Sequence, residues 1–148
     1  MKKLLFALAI ATPILSGVAT IQAAESNPAI VHRQGIYKIA SGHMNAIKSI
    51  LFLGFNSQQD VAYHAQGIVS AFEHMGNSYP AGSDKGETKA KAKMWQEFEI
   101  VKKYGNEAYG AAKALVKAGQ GDNKQEMITA FKTLGGKCKQ CHDDYKKD

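Results

Sequence analysis

The sequence predicts an all-α fold, an antiparallel four-helix bundle with room for a bound group, on three observations. Every long segment places apolar residues at a helical period, and none shows the apolar/polar alternation of a half-buried strand. Stretches rich in Gly, Asn, Asp and Ser divide the chain into four such segments. Of the three breaks two are short and one is longer, which suits neighbouring helices running in opposite directions.

The first helix is expected to start at "SNPAIVHRQ", with Ser26 or Asn27 as cap and Pro28 in the first turn, where a missing N–H costs nothing. Ile30, Tyr37, Met44 and Leu51 fall seven apart, flanked by Ile36, Ala40, Ile47 and Ile50, and so form one stripe running to about Phe52. "LGFNSQQD" ends it, and Ser57 is the expected cap of a second helix through Val61, Ala65, Ile68, Val69 and Phe72, closed by Gly76. "GNSYPAGSDKGET" is the long polar connection. A third helix then carries Met94, Trp95, Phe98, Val101, Tyr104, Ala108, Ala112 and Leu115 as far as "AGQGDN". Asp122 is the expected cap of the fourth, which holds Met127, Ile128, Phe131, Leu134, Cys138 and Cys141. No internal repeat or second domain is visible.

The N-terminus, "MKKLLFALAIATPILSGVATIQAAES", has two lysines, then an apolar core, then small residues. That is the layout of a secretory signal, and the apolar run falls short of the roughly 20 residues that a spanning helix needs. Residues 1–23 are therefore expected to be removed, by a cut after Ala23 or Ala24, leaving residues 24–148 as a single domain. The bacterial style of the signal points to the periplasm, with no membrane span after processing. Lys2 and Lys3 leave with the signal, so the formal charge falls from +6 to +4. The remaining lysines are scattered, with no arginine cluster and no interleaved aromatics, which argues against nucleic-acid binding.

The chain's only two cysteines stand in "GGKCKQCHDDYKKD", a CxxCH close to the C-terminus. A thioredoxin-like dithiol needs a strand before its helix, and none is expected here. A structural zinc site takes four ligands, and there is a single Cys pair. A Cys138–Cys141 disulfide would close too short a loop to stabilise much. Covalent haem accounts for all three residues together: thioethers from Cys138 and Cys141, and His142 as axial iron ligand. Cysteines three apart project from the same side of a helix and can hold one edge of a porphyrin, with the next residue beneath the iron. One covalent haem c is the cofactor expected.

With its signal, its bundle and its late CxxCH, the chain resembles the cytochromes c′, the class II c-type cytochromes. The resemblance spans roughly residues 27–147 and rests on "HRQGIYKIASGHM", "YPAGSDKGETKAKAKMW" and "GGKCKQCHDDYKK". Class I cytochromes c carry CxxCH near the N-terminus instead. The resemblance implies that Tyr37, four residues after Arg33, lies over the iron opposite His142, where low-spin relatives place a ligating methionine. It also implies that Arg33 lies near the haem propionates and that Trp95 packs on the porphyrin edge. Taken by their positions alone, Tyr37 and Trp95 would be core residues and Arg33 a solvated arginine. Lys146 stands where relatives often carry an arginine against the proximal face, and an ammonium cannot stack as a planar guanidinium does.

A neutral phenol, with a pKa around 10, is a poor iron ligand. A five-coordinate, high-spin iron is therefore expected. Met44 lies about 10 Å along the helix from Tyr37, so both cannot face one iron. Met44, Met94 and Met127 are expected to fill the bundle, and His32, His43, His64 and His74 to sit at its surface or boundary. The function expected is binding of small gases, NO and CO, in NO sequestration or tolerance; the alternative is electron transfer between redox proteins. No enzymatic activity is expected, because no positioned His–Arg pair offers a proton relay. The resemblance also implies a homodimer through the first two helices, for which Ile36, Ile47, Phe52 and Phe55 are candidate surface residues.

Overall fold

The computed structural model describes residues 26–148; the expected signal at residues 1–23 lies outside them. The helices are α1 (Pro28–Phe52), α2 (Val61–Glu73), the one-turn α3 (Lys93–Gln96), α4 (Phe98–Gly119) and α5 (Lys124–Tyr145), with a 3₁₀ turn at Gln58–Asp60 before α2. Among the described residues there is no strand, only an isolated antiparallel bridge between Ala90 and Lys146. The four long helices form a four-helix bundle in which α1 packs on α2, α2 on α4, and α4 on α5.

Local chemistry sets the boundaries. Asn27 caps α1, its Oδ1 accepting from the Ala29 N–H at 3.0 Å, with Pro28 as first helical residue. Ser57 does not cap the second helix: its hydroxyl donates to Asp60, and the 3₁₀ turn stands between it and α2. α2 ends at Glu73, ahead of Gly76. The cap of α5 is Asn123 rather than Asp122. The Asn123 amide oxygen accepts from the N–H groups of Gln125 (3.0 Å) and Glu126 (3.3 Å), and its Nδ2 donates to the Glu126 carboxylate. Asn and Asp cap about equally well, so the position of the free N–H groups decides.

The third expected helix is divided. Glu97 leaves helical geometry (φ −111°, ψ 32°), and its carboxylate accepts a 2.6 Å hydrogen bond from the Tyr145 hydroxyl. A partner 48 residues away thus competes with local helix propensity.

Ile47, Ala65, Ala112, Leu115 and Leu134, from all four long helices, are fully enclosed. Burying each large aliphatic side chain stabilises by about 1.5–3 kcal/mol. Where α4 ends against the start of α2, a Cβ on Gly119 would stand 2.6 Å from the Ala62 nitrogen, so only glycine allows that approach. Met94 and Met127 are buried and Met44 packs on the core, as expected of fillers. Ile36 and Ile47 belong to the core as well, which removes them from the expected dimer surface: they face inward from α1, whereas Phe52 and Phe55 remain exposed.

Candidate functional site

α1 and α5 touch along much less of their length than the other neighbouring helices, which leaves a seam between them. On the α5 side stand Cys138 and Cys141, one helical turn apart, both reduced and half-buried. They join two different apolar groups. Cys138 packs against the aliphatic core, and Cys141 against a second cluster containing Met94, Trp95, Phe98 and Tyr145. Burial pushes both thiols up, and Asp144 adds to the effect at Cys141.

On the α1 side stands Tyr37. Its residue surface is 41% exposed, yet its hydroxyl is turned onto Tyr79 in a 2.7 Å hydrogen bond. Loss of solvent at that oxygen, chiefly, holds the phenol well above its ordinary value of 10; Tyr79 and the two cysteines push the same way.

Tyr79 received no role from the sequence, because it lies in the turn-rich 74–92 connection. Its ring meets Trp95 edge-on, with centroids 5.9 Å apart, and leans on Phe98 at the same separation. Burial raises its phenol too, against the opposing influence of Tyr37 and Arg33. The available signal was the pair Tyr79-Pro80, an aromatic in a segment otherwise made of small and polar residues.

Arg33 is not solvated. It is 2% exposed and donates to the carbonyls of Ser83 (2.6 Å) and Ser78 (3.4 Å) and to the Thr88 hydroxyl (2.9 Å). Its guanidinium lies 5.4 Å from the ring centroids of both Tyr79 and Trp95. Burial lowers its pKa, but an arginine this far from neutral pH stays charged. Arg33 therefore clamps the connection to α1 and seats the two rings. Trp95 is half-buried, its Nε1 donating to the Pro80 carbonyl at 3.3 Å.

His142 is exposed at the end of α5 and lines an open cleft with Lys91, Asp143, Lys146 and Lys147. Burial, then the Lys146 ammonium, lowers its imidazole below the ordinary value, with Asp143 opposing. A neutral imidazole with a free lone pair is the form that ligates a metal. This end of α5 is fixed: Lys91 N–H donates to the Tyr145 carbonyl (2.8 Å), Lys147 N–H to Lys89 (2.7 Å), and Tyr145 is buried with its hydroxyl on Glu97. Lys146, the C-cap of α5, is exposed in the Ala90 bridge.

These residues fit a covalently held haem. Two thiols lie one turn apart on α5, an imidazole follows directly, and Tyr79 and Trp95 pack in the same cluster as Cys141, with Tyr37 hydrogen-bonded to Tyr79. Among the described residues, no group of three or more His, Cys, Asp or Glu that could hold a bare metal ion occurs.

Comparison with known proteins agrees with the geometry. The family model described as cytochrome c′ matches residues 28–146. The cytochrome c′ of Rhodospirillum rubrum is 30% identical over the full length of both chains. The crystal structure of cytochrome c′ from Thermochromatium tepidum superposes with a TM-score of 0.77 at 30% identity, covering 81% of this chain and 95% of that one. Another solved cytochrome c′, one with an unusual ligand-controlled dimer dissociation, gives 0.76 at 31% identity over 81% and 95%. The chain belongs to the cytochrome c′ family, four-helix bundles that carry one covalent haem c.

Proposed function

We propose that this protein binds small gases, NO and CO, at a haem iron held by a single protein ligand, in the service of NO sequestration or tolerance. Cys138 and Cys141 would hold the haem through thioethers, His142 would ligate its iron, and Tyr37 would cover the side left without a protein ligand. When bound, the haem supplies an iron centre with one position free for a diatomic ligand.

The observation that carries this reading is the Tyr37–Tyr79 pair. A phenol whose pKa is raised by desolvation stays neutral, and a neutral phenol does not ligate iron. Tyr79 holds the Tyr37 hydroxyl, and Arg33, Trp95 and Phe98 hold Tyr79. This pairing supports a role for the ring as a cover rather than as a ligand. Met44 packs on the aliphatic core instead. An enzymatic reading gains nothing from Arg33, whose donors are turned to loop acceptors.

We place the mature protein in the periplasm on the strength of residues 1–23; no described helix is long and apolar enough to cross a membrane. We also propose a homodimer through α1 and α2, using the exposed Phe52, Leu53 and Phe55. The ligand-controlled dimer dissociation of a similar cytochrome c′ supports a link between ligand binding and association.

Tyr37→Ala tests the reading. A covering ring must move before a ligand enters, and each 1.4 kcal/mol of that work lowers affinity about tenfold. The variant should bind CO more tightly and faster, with His142 still ligating. Unchanged CO kinetics would contradict the role of Tyr37.

A further inference from the structure

On the outer side of the α1–α2 contact, far along α1 from the cysteine seam, two histidines face each other. The Nδ1 atoms of His43 and His64 are 3.1 Å apart, and both residues are half-buried with access to solvent. The pair is seated by its surroundings. A Cβ on Gly67 would fall 2.2 Å from His43 Nε2, so a glycine inside α2 makes the space the ring occupies. Glycine within a helix costs roughly 1 kcal/mol against alanine. Tyr63 packs edge-on against both imidazoles, with centroid separations of 6.3 and 5.1 Å.

We propose that His43 and His64 form a binding site for a divalent first-row transition ion, coordinated through both Nδ1 atoms and completed by water. Metal–imidazole bonds of 2.0–2.1 Å that span 3.1 Å close an N–metal–N angle of ~98°. That value lies between the square-planar and tetrahedral angles and suits Cu²⁺ and Zn²⁺ alike. The ring centroids are 5.4 Å apart and the imidazoles point end-on at each other, so both rings turn to aim their lone pairs at one ion. A metal-free pair has to share a proton between the two nitrogens, and the ion takes that proton's place. His43 Nε2 faces the α2 backbone at Gly67, which leaves Nδ1 as its outward donor.

No third His, Cys, Asp or Glu joins the pair among the described residues. The site is therefore open, and it excludes Ca²⁺ and Mg²⁺, which need several oxygen ligands. The usual order of divalent affinities ranks Cu²⁺ first.

The test is titration of the ferric holoprotein with CuSO₄, followed by electron paramagnetic resonance and by calorimetry. Wild type should take up one equivalent whose spectrum shows coupling to two imidazole nitrogens. His43→Gln and His64→Gln should each weaken binding at least about tenfold, which is 1.4 kcal/mol. Gly67→Ala should weaken it too, by displacing the His43 ring without removing a donor. The haem absorption spectrum checks that each variant is folded, and CO affinity should not change in any of them. A wild-type spectrum without two-nitrogen coupling overturns the proposal, as does a copper isotherm that is the same in the double variant. Either result would leave a hydrogen-bonded imidazole pair only.

Discussion

The two ends of the bundle are built by different means. At one end Ile47, Ile68, Leu115, Met127 and Leu134 pack as an aliphatic core from helix faces alone. At the other, Tyr79, Trp95, Phe98, Tyr104 and Tyr145 are held by polar contacts, namely the Arg33 clamp, the Tyr37–Tyr79 bond and the Tyr145–Glu97 bond. The aliphatic end needs only the right volume at the right period and tolerates repacking. The aromatic end depends on partners distant in sequence, each losing its value if the other is removed. The first carries most of the buried aliphatic surface and touches Cys138, and we propose that the second surrounds the haem.

That division can be broken by mutation. The largest effect should come from Cys138→Ala or Cys141→Ala, each of which removes one of the two thioethers. Haem should then extract at least in part into acidified acetone, and holoprotein yield should fall sharply, since stability linked to the bound group is lost with it. Haem that extracts freely from the wild type would refute attachment.

Leu134→Ala should cost about 3 kcal/mol, read from the urea midpoint, through lost burial and the cavity left behind. CO binding should be unaltered, because the change lies in the aliphatic end. A changed CO rate would mean that the two ends are not separable.

Arg33→Met should cost about 2 kcal/mol by leaving the buried Ser83 carbonyl without its donor, while the Thr88 hydroxyl keeps the Ala90 N–H. Unlike Leu134→Ala, it should also speed CO association, because Tyr79 and hence Tyr37 lose their seat. Arg33→Lys should recover part of the stability but little of the ring positioning. Equal CO kinetics in wild type and Arg33→Met would detach Arg33 from the site.

The smallest effect concerns Tyr145→Phe. The Glu97 carboxyl is held below its ordinary value of 4.5, first by the Tyr145 hydroxyl and also by Lys93, with desolvation opposing. A depressed carboxylate contributes stability that is full above the unfolded value and lost as pH falls through the folded one. The stability gap between wild type and Tyr145→Phe should therefore be constant from neutrality down to about pH 5 and close below that. The Tyr145 phenol is raised well above 10, mainly by the same bond, so the gap should also close in strong alkali. A gap independent of pH would show that the bond adds nothing.

How much of this was readable from sequence follows the same division. The α1 stripe, the Asn27–Pro28 start and the core positions Val61, Ala65, Leu115 and Leu134 were legible because period and capping are local. CxxCH was legible because its chemistry sits within one turn of helix. The burial of Arg33 was not legible from its position, since the acceptors that bury it lie 45 to 55 residues away in a connection without periodicity. Tyr79 and the break at Glu97 were missed for the same reason, each being decided by a distant ring or hydroxyl. The Ile36 and Ile47 misassignment came from treating apolar residues on α1 as one surface, when the helix turns them inward and Phe52 outward.

The central claim is that the aromatic end leaves the iron with one protein ligand, His142. The absorption spectrum of the ferrous protein before and after CO tests it most directly. A broad high-spin spectrum that changes on CO addition is the result the account predicts. Sharp low-spin α and β bands with no response to CO would contradict it, placing a second protein ligand on the iron and making electron transfer the better reading.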